Sequence, residues 1–113
     1  KGVGCNFLVC IAVWISFAAK DAAGKVAGLF FPILLFVVSG FEHSVANMYY
    51  ISVGLLAKGN PAYLAAASGV DLSALTWGSF FAANLLPVTL GNIVGGCAVG
   101  AVYWYCYLRK SGK

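Results

Sequence analysis

The stretch GFEHSVANMYY, residues 40–50, lies between two strongly apolar runs, KVAGLFFPILLFVVS (25–39) and ISVGLLA (51–57). From Val26 to Ala57 the only interruptions by acid or imidazole are Glu42 and His43, the chain's single histidine. As one straight helix this stretch would measure about 48 Å, far more than the roughly 30 Å of a bilayer's hydrocarbon core. A simple span is therefore excluded. Gly40 closes the first apolar half, and the hydroxyl of Ser44 is suited to cap a second half-helix. The pattern predicts a broken helix with a few residues of irregular backbone near mid-membrane. Such backbone persists there only where protein or a water-filled cavity satisfies its polar groups, so the break itself points to a pathway. The N-terminus of the second half-helix is expected to offer partial positive charge and free N–H groups to an anion.

Composition supports a membrane setting. Of 113 residues, 62% are hydrophobic and 9% charged, and mean hydropathy is +0.92; an ordinary soluble domain carries roughly 25% charge. The expected class is an all-α membrane protein. The net charge of +4 is scattered over loops and tail, which gives a nucleic-acid-binding reading nothing to stand on. Three spans are expected, at about residues 2–19, a broken unit at 26–57, and about 87–107, the last preceded by a lead-in segment from Leu72 to Leu86 partly along the interface. Lys20, Asp21 and Lys25 mark one loop, Lys58 and Asp71 bracket another, and Arg109, Lys110 and Lys113 form a tail. The positive-inside rule puts loop 20–25 and the tail in the cytoplasm and loop 58–71 outside. Trp77 and the group Tyr103, Trp104, Tyr105 and Tyr107 fall where an aromatic belt belongs. The chain starts at Lys1 within an apolar run, which suggests an incomplete chain beginning inside a helix. Cys5, Cys10, Cys97 and Cys106 lie in predicted spans without a Cys-x-x-Cys pair and read as small apolar filler.

An ionisable group at the bilayer centre costs from about 2.5 to more than 10 kcal/mol, so Glu42 and His43 need partners or water. Being adjacent, they face different ways. Glu42 is expected to accept hydrogen bonds within a polar network, from amides such as Asn6 or Asn92 and from backbone N–H groups. His43 is expected to face the pathway, where an imidazole can donate to an anion and exchange a proton. A structural histidine satisfied by a carbonyl is the bland alternative.

Three stretches together resemble one family. FPILLFVVSGFEHSVANM (31–48) is similar to the fifth helix of the formate/nitrite transporters, GCNFLVCIAVW (4–14) to the fourth, and NLLPVTLGNIVGG (84–96) to the sixth. The resemblance covers essentially the whole chain in the right order. It implies the C-terminal half of an aquaporin-like six-helix inverted-repeat fold, partnered by an N-terminal half absent from this chain, in a homopentamer embedded in the inner (plasma) membrane. It also implies a channel for small monovalent anions or their conjugate acids, among them formate, nitrite and hydrosulfide, with overall likeness leaning to the hydrosulfide branch. On the same resemblance His43 is the central pore histidine and Glu42 its network neighbour. Phe36 and Leu85 fall at the outer constriction and Val9 at the inner one; Asn92 matches a polar position on the substrate pathway and Asn6 one in the polar network, to which the expected cap residue Ser44 is also assigned. No cofactor or enzymatic activity is implied. A proton-coupled carrier of the same fold is the alternative; a haem-bearing anchor subunit is disfavoured, because one histidine cannot supply bis-His ligation.

Gly91 and Gly95, then Gly96 and Gly100, repeat at intervals of four, a small-residue stripe for close helix approach. Gly24 and Gly28 share that spacing but straddle an expected loop, which argues against the same role.

Overall fold

The computed structural model describes residues 1–109; Lys110 and Lys113, placed in a cytoplasmic tail on sequence grounds, lie outside the described residues. Helix α1 (Gly2–Ala18) is followed by α2 (Ala22–Val38), whose first turn is capped by the Asp21 carboxylate accepting from Gly24 N–H at 2.8 Å. After a break comes α3 (Ser44–Ala57), then a short helix α4 (Pro61–Ala66). A continuous helix α5 of 32 residues (Trp77–Leu108) completes the unit. Among the described residues there is no strand.

The long helix differs from the sequence expectation. Helical structure does not restart at Pro87 but runs through it, with π-helical turns at Phe80–Leu85 and Trp104–Leu108. The reason is local. A proline inside an α-helix clashes with the carbonyl four residues back, here Ala83, and removes a donor. Just before Pro87 the helix widens, and Leu86 N–H bonds to Phe81 C=O, five residues back. This turn admits the ring without ending the helix. The lead-in segment shrinks to the irregular stretch 72–76, whose end is fixed by a capping box between Thr76 and Ser79.

Helix α1 lies between α2 and α5, while α3 packs on the first π turn and on the body of α5. The α1–α5 contact is made by backbone. A Cβ on Gly91 would lie 3.2 Å from Val3 N, and one on Gly95 would collide with the Val3 carbonyl oxygen. Gly2 returns the contact: a Cβ there would lie 3.1 Å from Val88 O. Gly100 faces open space, so the stripe narrows to Gly91 and Gly95; a Cβ on Gly96 would make only ordinary contact, 3.5 Å from Cys10 Sγ. Gly28, discounted on sequence, sits inside α2 against Ile15 of α1, where a Cβ would approach to 2.9 Å. The loop there is shorter than expected, so Gly28 belongs to a helix interface.

Beyond α3, the Lys58 ammonium donates to the carbonyls of Leu72 and Leu75 at 2.7 and 2.9 Å, strapping the segment before α5 to the end of α3. Ser73 N–H, donating to Asp71 at 2.8 Å, holds that carboxyl below the usual carboxylate range. At the opposite end Trp14 stacks on Tyr103, with centroids 4.0 Å apart, and Tyr103 stacks on Tyr107. The unit measures 62 × 31 × 19 Å, a flat slab. Its buried apolar residues are Cys5, Ala12, Phe80, Val88 and Val99, while Phe31, Val38, Leu56 and many other large apolar side chains are exposed. Such faces suit lipid or neighbouring helices.

Because the atoms opposing Gly95 are main chain, they cannot move aside. Gly95→Ala is expected to destabilise by about 2 kcal/mol or more, and Gly100→Ala to be neutral or slightly stabilising. Thermal unfolding of the detergent-solubilised protein separates the two.

Candidate functional site

The site is built on the break between α2 and α3. Helix α2 ends in a Schellman motif: Gly40 N–H bonds to Val37 C=O at 3.1 Å and Phe41 N–H to Phe36 C=O at 3.2 Å. The motif needs a left-handed residue, and Gly40 supplies it at φ +60°. Phe41 then packs its ring against Gly4 of α1. Glu42 and His43 follow in non-helical backbone before α3 begins at Ser44.

The cap of α3 lies one residue earlier than the sequence suggested. His43 is the N-cap, with Nδ1 accepting from Val45 N–H at 3.2 Å and its carbonyl accepting from Asn47 N–H at 2.9 Å. Ser44 is already helical and buried, and its N–H donates to Asn92 Oδ1 at 2.9 Å. Two of the N–H groups expected to be free for an anion are therefore occupied. The imidazole gains what the backbone gives up. A ring whose Nδ1 accepts a hydrogen bond carries its proton on Nε2 when neutral, so the half-buried His43 presents an N–H donor on its far side. Phe36 is the neighbouring aromatic, with ring centroids 6.1 Å apart.

Two asparagine systems hold this geometry. Asn92, 4% exposed, uses both ends of its amide: Nδ2 donates to Gly2 C=O at 2.8 Å and Glu42 C=O at 2.9 Å, while Oδ1 takes the Ser44 N–H. One side chain of α5 thus ties α1, the break and the start of α3. In the second system Asn47 Nδ2 donates to Glu42 Oε2 at 2.7 Å and to Asn84 Oδ1 at 2.8 Å. The Glu42 carboxylate is served by Asn47 rather than by Asn6 or Asn92, as expected from sequence; Asn92 reaches the Glu42 carbonyl instead. Asn6 points to α5 near Gly96, and its buried Oδ1 has no partner among the described residues.

Val9 is half-buried on α1, one turn beyond Asn6. Leu85 ends the first π turn and lines a shallow groove of about 350 Å³ with Phe81, Leu86, Thr89 and Leu90, a groove that does not include His43. The structure thus gathers His43, Phe36, Glu42, Ser44 and Asn92 around the break, with Val9, Asn6 and Leu85 further out. Sequence reasoning passed over Asn47 and Asn84. Asn47 stands four residues after His43, a spacing that shares a helix face, and that signal was available. Asn84 was hidden by the π turn. Among the described residues no group of three or more metal-ligating side chains is found.

A family model described as "Formate/nitrite transporter" matches residues 1–105. The chain belongs to the formate/nitrite transporter family. It is 49% identical over 111 residues to a probable formate transporter of Methanothermobacter thermautotrophicus, covering 97% of this chain and 35% of that protein. It is 40% identical over 115 residues to the formate channel FocA of Escherichia coli (strain K12), covering 97% of this chain and 40% of the channel. Among solved structures, a pentameric formate channel with formate bound superposes with a TM-score of 0.81 at 43% identity, over 95% of this chain and 44% of that one. The fold is accordingly all-α and aquaporin-like, a membrane fold with one broken helix. The chain spans less than half the length of these relatives. These relatives are named as transport proteins.

Replacing Asn92 with Leu removes three hydrogen bonds and strands the Gly2 and Glu42 carbonyls and the Ser44 N–H. The expected destabilisation is at least about 3 kcal/mol, seen as a lowered melting temperature in detergent and loss of folded protein on size exclusion.

Proposed function

We propose that this chain forms the histidine-bearing half of a membrane channel for small monovalent anions or their conjugate acids, with formate the leading substrate and nitrite and hydrosulfide tested beside it. The single observation that carries this reading is His43, an N-cap histidine at a helix break with its Nε2–H unengaged by the cap and Phe36 beside it. The formate naming of the relatives supports the order of substrates. The likeness to a pentameric channel supports a homopentamer, and the covered length supports assembly with an N-terminal half of the same protein.

In this reading an anion leaves bulk water at an apolar constriction formed with Phe36 and Leu85, meets the Nε2–H of His43, and leaves past Val9. The partial positive charge at the start of α3 favours the anion at the same point. Glu42, Asn47, Ser44 and Asn92 are the frame and do not touch it; Asn6, whose oxygen has no partner among the described residues, completes the polar lining with groups from the other half. Loop 20–25 and the tail face the cytoplasm and the assembly sits in the plasma membrane.

A ring that has first bound a second proton can pass one to an anion and return to its neutral form, and the anion then crosses the apolar gates as a neutral acid. A doubly protonated ring cannot accept at Nδ1, so taking up a second proton releases the Val45 N–H. That coupling of charge to the helix cap favours a second reading, a proton-coupled carrier of the same fold.

His43→Asn decides the role of the imidazole. Asparagine is a good N-cap, so α3 is retained, but it cannot exchange a proton. In proteoliposomes holding the complete assembly, formate flux is expected to fall by at least about tenfold and to lose its pH dependence. Wild-type rates with an unchanged pH profile remove His43 from the mechanism. Saturating flux with fixed proton stoichiometry selects the carrier over the channel.

A further inference from the structure

We propose that Asn84 is a positioning residue for the Glu42 carboxylate, brought into place by the π turn that Pro87 imposes on α5. The proposal rests on the pathway reading above for its transport consequence, though not for its geometry.

The direction of the hydrogen bonds fixes the chemistry. The Asn47 amide nitrogen donates to Glu42 Oε2 at 2.7 Å. The same nitrogen lies 2.8 Å from Asn84, so the Asn84 atom is the acceptor Oδ1. Asn47 can swing its amide away from Glu42 unless its second N–H is also engaged. Asn84 engages it. With both N–H groups committed, the Asn47 amide has one orientation, and the carboxylate it holds is fixed beside His43.

The geometry of α5 explains how one helix reaches both ends of the break. Asn84 and Asn92 are eight residues apart, which in an ideal α-helix leaves them about 80° apart around the axis. A π turn winds less per residue, and the turn at Phe80–Leu85 includes Asn84, so it brings the two amides toward a common face. Asn92 then holds the Glu42 carbonyl and Asn84, through Asn47, its carboxylate. Pro87, exposed and immediately after the turn, is its local cause.

The test uses the complete assembly carrying Asn84→Ala, Asn47→Ala, both together, and Pro87→Ala. Isotope-edited infrared spectroscopy reads the Glu42 carboxylate stretch, assigned by its loss in Glu42→Gln, and proteoliposome flux of formate is measured in parallel. Asn84→Ala is expected to shift the Glu42 band and lower flux about tenfold, the scale of one hydrogen bond in a charged network. The double variant should fall within about twofold of Asn47→Ala, because Asn84 acts through Asn47. Pro87→Ala should shift the band in the same direction while leaving every polar group in place, and it stands in for Asn84→Ala if that variant does not fold. An unshifted band in Asn84→Ala or Pro87→Ala overturns the proposal, as does a double variant whose loss equals the product of the two single losses. Absence of formate flux in the unaltered protein would defeat the pathway reading instead, and the infrared result would still decide the role of Asn84.

Discussion

The amide of Asn92 is the interaction on which the rest of the structure depends. A chain interrupted inside a membrane exposes peptide groups where water cannot serve them, and each one left unpaired costs several kcal/mol. Asn92 meets that demand at three points with one buried side chain, accepting from the new helix and donating to the break and to α1. It can reach all three because α1 and α5 touch through glycines: a Cβ added to Gly91 would lie only 3.3 Å from Gly2 Cα. Close helix approach and the satisfied break are thus one device. The small residues exist for the amide as much as for packing.

The same arrangement divides labour around the break. Backbone N–H groups that could have faced an anion are taken by Asn92 and by the His43 ring, so the imidazole is left as the donor facing outward. A side chain is the better instrument for this task, because it can change its protonation state and a peptide cannot. Glu42 sits next to it with its carbonyl and carboxylate held by separate asparagines.

Much of this was legible in the sequence. The broken helix followed from length against bilayer thickness together with Gly40, and the glycine of a Schellman motif is a strong local signal. His43 and Glu42 stood out because they are rare in apolar surroundings. What the sequence hid was register. Ser44 is by composition the better cap, yet its N–H is claimed from 48 residues away, and the cap moves back to His43. Pro87 reads as a helix boundary and became the cause of a wider turn, so the long helix and the aim of Asn84 were both missed. Gly28 was set aside because the loop before it was drawn too long. The cap position and the role of Gly28 depend on contacts between distant segments, which no local pattern encodes, whereas the turn before Pro87 is local.

The ammonium strap on the far side of α3 has a consequence of its own. Lys58 grips the carbonyls of Leu72 and Leu75, so the chain between is a closed ring whose two ends are pinned together whatever its contents. A tag or epitope spliced between Ala67 and Val70 lengthens the ring at small entropic expense and leaves both anchors intact. That makes this bend a handle by which the protein can be labelled without disturbing the start of α5.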